Sequence, residues 1–208
     1  MAYSDFTLQE TVQRFQLTLD EQHDLFAAIP NIVPSDALHT ILAENVPLAL
    51  AIQTEKARSE LIIAPVLVEV RKLVQRQISL FSGVDFPVDV AQGLNGVCDF
   101  LIARSPEQFF IRAPVVVIVE AKNEIIRAGL GQCSATMVAA QVFNAREGTG
   151  ITTVYGAVTT GNIWKFLKLA GTTISIDFPE YHIERVGKIV GVLLAIVGHD
   201  LDASARAA

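Results

Sequence analysis

The sequence predicts an α/β or α+β domain, a buried sheet with helices packed on it. Three observations carry this. Apolar residues make up 51% of the 208 positions against 18% charged, with a mean hydropathy of +0.41; such a chain is not disordered, collagen-like or a linker, because those lack the apolar surface that offsets chain entropy. The richness in Val, Ile, Leu and Ala points to a sheet covered on both faces. The third observation is order along the chain: helix, strand, strand, helix, strand, strand, helix. The length suits one domain of roughly 100–200 residues.

The first fifty residues read as short helices. One starts near Thr7 with Leu8, Val12 and Phe15 on a face, a second spans about Leu19 to Ala28, and a third follows Ser35 or Asp36 as cap. They form an N-terminal helical extension (1–50) on a core domain (51–200), with a frayed tail over 201–208. The core opens with the strongest helical stretch, Thr54 to about Gln77, where Leu61, Ile62, Val66, Val70, Leu73 and Val74 recur at helical spacing and Pro65 should impose a kink. Ser82-Gly83 and Pro87 mark turns. Strands follow over Gly96–Ala103 and Pro114–Lys122, the second β-branched throughout. Gly129-Leu130-Gly131 precedes a small-residue helix from Gln132 to about Asn144. Thr152–Thr159 and Ile163–Leu169 form a hairpin about Thr160-Gly161-Asn162, Ile174–Ile176 adds an edge strand, and a last helix spans about Glu180 to Val197.

Bulk properties exclude several classes. No run reaches the roughly 18 apolar residues of a membrane helix, and the start, MAYSDFTLQET, lacks the basic segment and apolar stretch of a secretory signal; a cytoplasmic location is expected. Cys98 and Cys133 read as buried thiols. With His182 and His199 they lack zinc-ligand spacing. The net charge of −6 argues against a strongly basic nucleic-acid binder, yet residues 51–170 hold twelve Lys/Arg against ten Asp/Glu while the flanks hold four against twelve. The middle of the chain can therefore face a polyanion.

The chemistry concentrates on the β-branched strand. Glu120 and Lys122 are two apart, so both project to one side of it. Asp99 lies on the preceding strand and approaches Glu120 if the two are antiparallel neighbours. Adjacent carboxylates repel unless a proton or cation compensates, and a hard divalent ion such as Mg2+ favours oxygen ligands. Lys122 would then orient a water or stabilise charge developing on a phosphate. The plain alternative is a salt bridge at a strand end. Gly129-Leu130-Gly131 lacks the third glycine of a dinucleotide fingerprint, since Ser134 lies there. Trp164 can pack in the core or stack on a base, and Arg71, Lys72 and Arg76 read as a solvated helix face or a phosphate track.

Residues 54–170 resemble the PD-(D/E)XK nuclease superfamily. Gly96-Val97-Cys98-Asp99 followed by Val119-Glu120-Ala121-Lys122 is similar to its D…(D/E)-x-K signature, with Cys98 in place of Pro. Thr54 to Ile62 with Pro65 resembles its first core helix, Gln132 to Met137 the Q-x-x-x-Y helix of some branches without the aromatic, and Tyr155 to Gly161 with Trp164 the TNG…W hairpin of type I restriction-subunit nuclease domains. A cyanobacterial-type group with VEAKN and GQC segments is also similar. The resemblance implies a restriction endonuclease-like mixed sheet flanked by helices. It implies Mg2+ (or Mn2+) held by Asp99, Glu120, the Ala121 carbonyl and a helix acid, Lys122 positioning the attacking water, and Gln132 near the site or the DNA backbone. Glu60 is favoured as the helix acid over Glu55; on a regular helix the two point about 140° apart, and either can instead pair with Lys56 or Arg58. The implied activity is hydrolysis of DNA phosphodiester bonds leaving a 5′-phosphate, by a homodimer gripping both strands. The alternative is a catalytically silent module of the same fold used for binding or assembly.

Overall fold

A computed structural model describes residues 1–198; the expected tail over 201–208, and His199, lie outside the described residues. The chain begins with a 3-10 turn (Tyr3–Asp5) and α1 (Leu8–Arg14), whose cap Thr7 accepts a hydrogen bond from the Glu10 amide while the Glu10 carboxylate accepts from the Thr7 amide. The helix expected over 19–28 is absent. Instead β1 (Thr18–Asp20) is followed by turns. Aspartates divert the backbone there: Asp20 accepts from the Gln22 amide, Asp24 from the Phe26 amide, and buried Asp177 from the Leu25 amide at 2.6 Å.

Helix α2 (Asp36–Ile52) starts at its Ser35 cap as expected. The long helix expected over 54–77 is broken into α3 (Glu55–Arg58), a π turn (Ser59–Ile63) and α4 (Ala64–Leu73). Pro65 lies in the first turn of α4, where its missing N–H costs nothing, and the wide turn ahead carries the bond from the Ala64 amide to the Ser59 carbonyl.

The remaining elements are β2 (Ser79–Asp85), β3 (Val97–Ala103), β4 (Val115–Ala121), α5 (Ile126–Arg146), β5 (Thr153–Thr159), β6 (Ile163–Ala170), β7 (Thr173–Ile176), β8 (Tyr181–His182) and α6 (Val186–Gly198). Three expectations are corrected. Ser82-Gly83 is no turn but lies inside β2, with Gly83 at φ +61° and the ladder to β3 continuing on both sides of it. The helix begins at Ile126, so Gly129 and Gly131 lie within it. A Cβ on Gly131 would collide with the backbone of Phe6 and Thr7, which explains glycine there without a turn. The last helix starts six residues later than expected from Glu180, after β8 and a 3-10 turn.

Among the described residues one eight-stranded mixed sheet runs β1-β7-β6-β5-β4-β3-β2, with β8 beside β6. The pairs β4/β5 and β1/β7 are parallel and the others antiparallel. β7 is thus interior, and β1 takes the edge expected of it. Each face has its own core. Phe100, Ile102, Val117, Val119 and Ala157 pack with α2, α4 and α6 on one side. Leu101, Ile118, Val154 and Val158 pack with α5, Tyr3 and Phe6 on the other. Both faces of β4 are buried, which accounts for its unbroken apolar run. Trp164 is fully buried, donates from Nε1 to the Gly161 carbonyl and stacks on Phe166, so its place is in the core. Cys98 and Cys133 are free and buried, and burial pushes both thiols up.

Candidate active site

The register of the β3/β4 pair decides the central question. Phe100 faces Val119 and Leu101 faces Ile118, so Asp99 and Glu120 are opposite each other one step further along. Their parity is that of Leu101 and Ile118, which puts both carboxylates and Lys122 on the α5 side of the sheet. The Asp99 carboxylate accepts from the Ala121 amide at 2.8 Å, tying the start of β3 to the end of β4. Lys122 Nζ donates to Glu120 Oε1 at 2.6 Å and reaches Gln132 Oε1 on α5 at 3.4 Å. The Lys122 amide donates to the Thr159 carbonyl, so β5 holds this strand end in place. Gly129 completes the arrangement: a Cβ there would lie 2.6 Å from Val158 and 3.1 Å from the Lys122 stem. Bare helix backbone is what lets the lysine lie flat.

The electrostatics follow from burial. Glu120 is 2% exposed. Burial and then the facing Asp99 carboxylate push its pKa up to about 8, against the pull of Lys122. Burial also works against the Lys122 ammonium, but the carboxylates of Glu120, Glu55 and Asp99 outweigh it and the net shift is upward.

A cleft of about 260 Å3 opens beside Asp99 and Ala121. Glu55, Lys56, Ser59 and Glu60 form its helical wall, and Ser82 and Gly83 of β2 the other. Both candidate helix acids therefore line it. They differ in company: Glu60, 59% exposed, is ion-paired with Lys56 at 2.5 Å, whereas Glu55 is the one whose charge acts on Lys122. Arg58 turns away from both acids: it is buried and donates to the Thr160 carbonyl and Asn162 Oδ1. Glu120 and Lys122 are not in the cleft wall but behind it. A roomier cleft of about 710 Å3 by the N-terminal segment is lined by Phe6, Leu8, Val12 and Leu19 among others, and chemistry rather than volume selects the smaller one.

The donor set suits a hard cation in kind. Asp99, Glu120 and the Ala121 main chain offer oxygen, and Asn123 Oδ1, just beyond Lys122, is buried without a hydrogen-bond partner. Among the described residues no three His, Cys, Asp or Glu side chains come together as a metal-binding group. Mg2+ is commonly held by one or two carboxylates with water and substrate phosphate completing its shell, so two facing acids fit it. Sequence reasoning missed Ser59, Ser82, Gly83 and Asn123; only Asn123, adjacent to the E-x-K set, carried a local signal. No family model, no curated protein and no solved structure matches this chain.

Proposed function

We propose that the protein is a Mg2+-dependent (or Mn2+-dependent) nuclease of the restriction endonuclease-like fold that hydrolyses DNA phosphodiester bonds. The observation that carries this reading is the direct opposition of Asp99 and Glu120 across β3 and β4, with Lys122 bonded to Glu120. The succession of a helix, three antiparallel strands, a crossover helix and a strand parallel to β4 supports the fold part of it. Asp99 and the Ala121 carbonyl from the cleft wall and Glu120 from behind it would hold the cation, with Glu55 or Glu60 on the helical wall. When bound, the cation supplies Lewis acidity and lowers the pKa of water. The chain's own residues do the rest: Lys122 favours the charged form of the Glu120 carboxylate against the pull of burial and Asp99, and its ammonium would orient an attacking water. Gln132 fixes the lysine.

The test is hydrolysis of DNA by purified protein with Mg2+ or Mn2+, beside Glu120→Ala and Lys122→Ala. The expected result is at least a hundredfold loss of rate in both variants. Equal rates in all three proteins would assign the cleavage to a contaminant. One observation favours a second reading, a silent module for binding or assembly: Lys122 is ion-paired with Glu120, and among the described residues no third acid side chain completes the group. Absence of Mg2+ binding at millimolar concentration in calorimetry would favour it.

A further inference from the structure

The helical wall of the cleft and the strand end that carries Glu120 and Lys122 come from distant parts of the chain, and no single element runs through both. α3 is one turn, Glu55–Arg58, and the π turn after it separates it from α4. Arg58 holds this turn in place. Its side chain is 9% exposed and has no carboxylate partner among the described residues. Nη1 donates instead to the Thr160 carbonyl and to Asn162 Oδ1, both at 2.9 Å. A buried guanidinium spent on two oxygens of one turn acts as a strut, since an apolar side chain would fill the space without the cost of desolvating a charge.

The turn it grips is braced in its own right. Thr159 Oγ1 donates to the Ile163 carbonyl and accepts from the Gly161 amide, and Thr160 Oγ1 donates to Asn162 Oδ1 at 2.8 Å. Gly161, at φ +84°, lies against the helical segment: a Cβ there would come within 3.2 Å of Ile62 and 3.5 Å of the Arg58 Cβ. The same turn holds the strand end. The Thr159 carbonyl accepts from the Lys122 amide at 2.8 Å, and Glu120 and Ala121 pair with Val158 and Thr159 in the parallel ladder. Residues 159–162 are therefore bonded on one side to the strand of Glu120 and Lys122, and on the other to the helical turn of Glu55.

We infer that Arg58 is a positioning residue: by clamping α3 to the β5–β6 turn it fixes the spacing between the Glu55 wall and the strand end of Glu120 and Lys122. What that spacing serves rests on the nuclease reading, in which acids of the helix and the strands share one cation. Of the two helix acids the clamp reaches Glu55, in the same turn as Arg58. Glu60 lies beyond it in the π turn and is paired with Lys56. Residues that orient a metal's ligands without touching the metal matter nearly as much as the ligands themselves.

The experiment uses the full chain and has a metal-free arm and a metal arm. In the first, amide exchange is followed by NMR in the parent, Arg58→Met, Arg58→Lys and Asn162→Ala. Arg58→Met should speed exchange of the Lys122 amide about tenfold, with protection across the rest of the sheet as in the parent. Arg58→Lys should restore most of the protection. Asn162→Ala keeps the Thr160 bond and should give a smaller change of the same sign, which covers the case of an Arg58→Met chain that does not fold. In the second arm, Mn2+ affinity is read from the EPR signal of the free ion. Arg58→Met and Glu55→Gln should each weaken binding about tenfold, and the two together no more than either alone, because residues that act through one another are not additive. An unchanged Lys122 exchange rate, a general loss of protection in place of a local one, unchanged Mn2+ affinity in Arg58→Met, or losses that add in the double variant would overturn the inference. A parent chain that binds no Mn2+ while its Lys122 amide responds as expected overturns the nuclease reading alone.

Discussion

Glu120 is the residue on which stability and chemistry pull in opposite directions. Its pKa is raised to about 8 from 4.5, first by burial and then by Asp99. Between those values the folded protein keeps a proton that the unfolded chain releases, so this group's contribution to stability falls as pH rises through that window. Glu120→Gln removes the ionisation and retains a hydrogen-bonding oxygen for Lys122. The variant should therefore be more stable than the parent at pH 9, on the order of 2–4 kcal/mol, with little difference at pH 5; thermal unfolding at the two pH values measures it. A variant no more stable at pH 9 would mean the glutamate is not electrostatically strained. The pairing of Asp99, Glu120 and Lys122 was legible in the sequence because strand alternation leaves no freedom: residues two apart share a face. The helix acids were not. The π turn over Ser59–Ile63 adds a residue between the segments they belong to, and the regular-helix angle between Glu55 and Glu60 loses its meaning.

Elements whose sequence matched their surroundings on both sides were the easiest to read. β4, β5 and β6 are β-branched or apolar because both sheet faces are covered, and their bounds fall within a residue or two of expectation. Failures occurred where a distant contact overrode the local pattern. Thr18–Asp20 becomes a strand only because β7 lies beside it, and nothing within three residues announces that. Gly83 resembles a turn residue while lying inside a strand, and Gly129 and Gly131 resemble a loop while lying inside a helix. The helix glycines give a sharp prediction. On an exposed helix Gly→Ala stabilises by about 1 kcal/mol. Gly131→Ala should instead destabilise by about 2–3 kcal/mol, because the methyl group would overlap the Phe6–Thr7 backbone. Urea unfolding of the variant decides between the two signs. Gly129→Ala should in addition displace the Lys122 stem and lower any metal-dependent activity before it unfolds the protein.

At the scale of the whole molecule the N-terminal segment belongs to the architecture. Tyr3 and Phe6 fill the core under α5, with the Tyr3 hydroxyl donating to the Phe86 carbonyl at 2.7 Å. Deleting residues 1–20 should expose that apolar surface together with the free side of β7, and light scattering should report association within minutes of purification. A chain that stays monodisperse after the deletion would show the segment to be dispensable. No helix among the described residues is long and apolar enough to cross a membrane.

The parallel pairing of β1 with β7 also sets a timetable. Thr18 is made well before its partner Thr173, which follows 155 residues later. At about 5–20 residues per second the nascent N-terminus waits roughly 10–30 s for the strand it will join. Throughout that interval Thr18–Asp20 have no strand to pair with, so β1, the first strand to be made, finds its place in the sheet only after β7 exists.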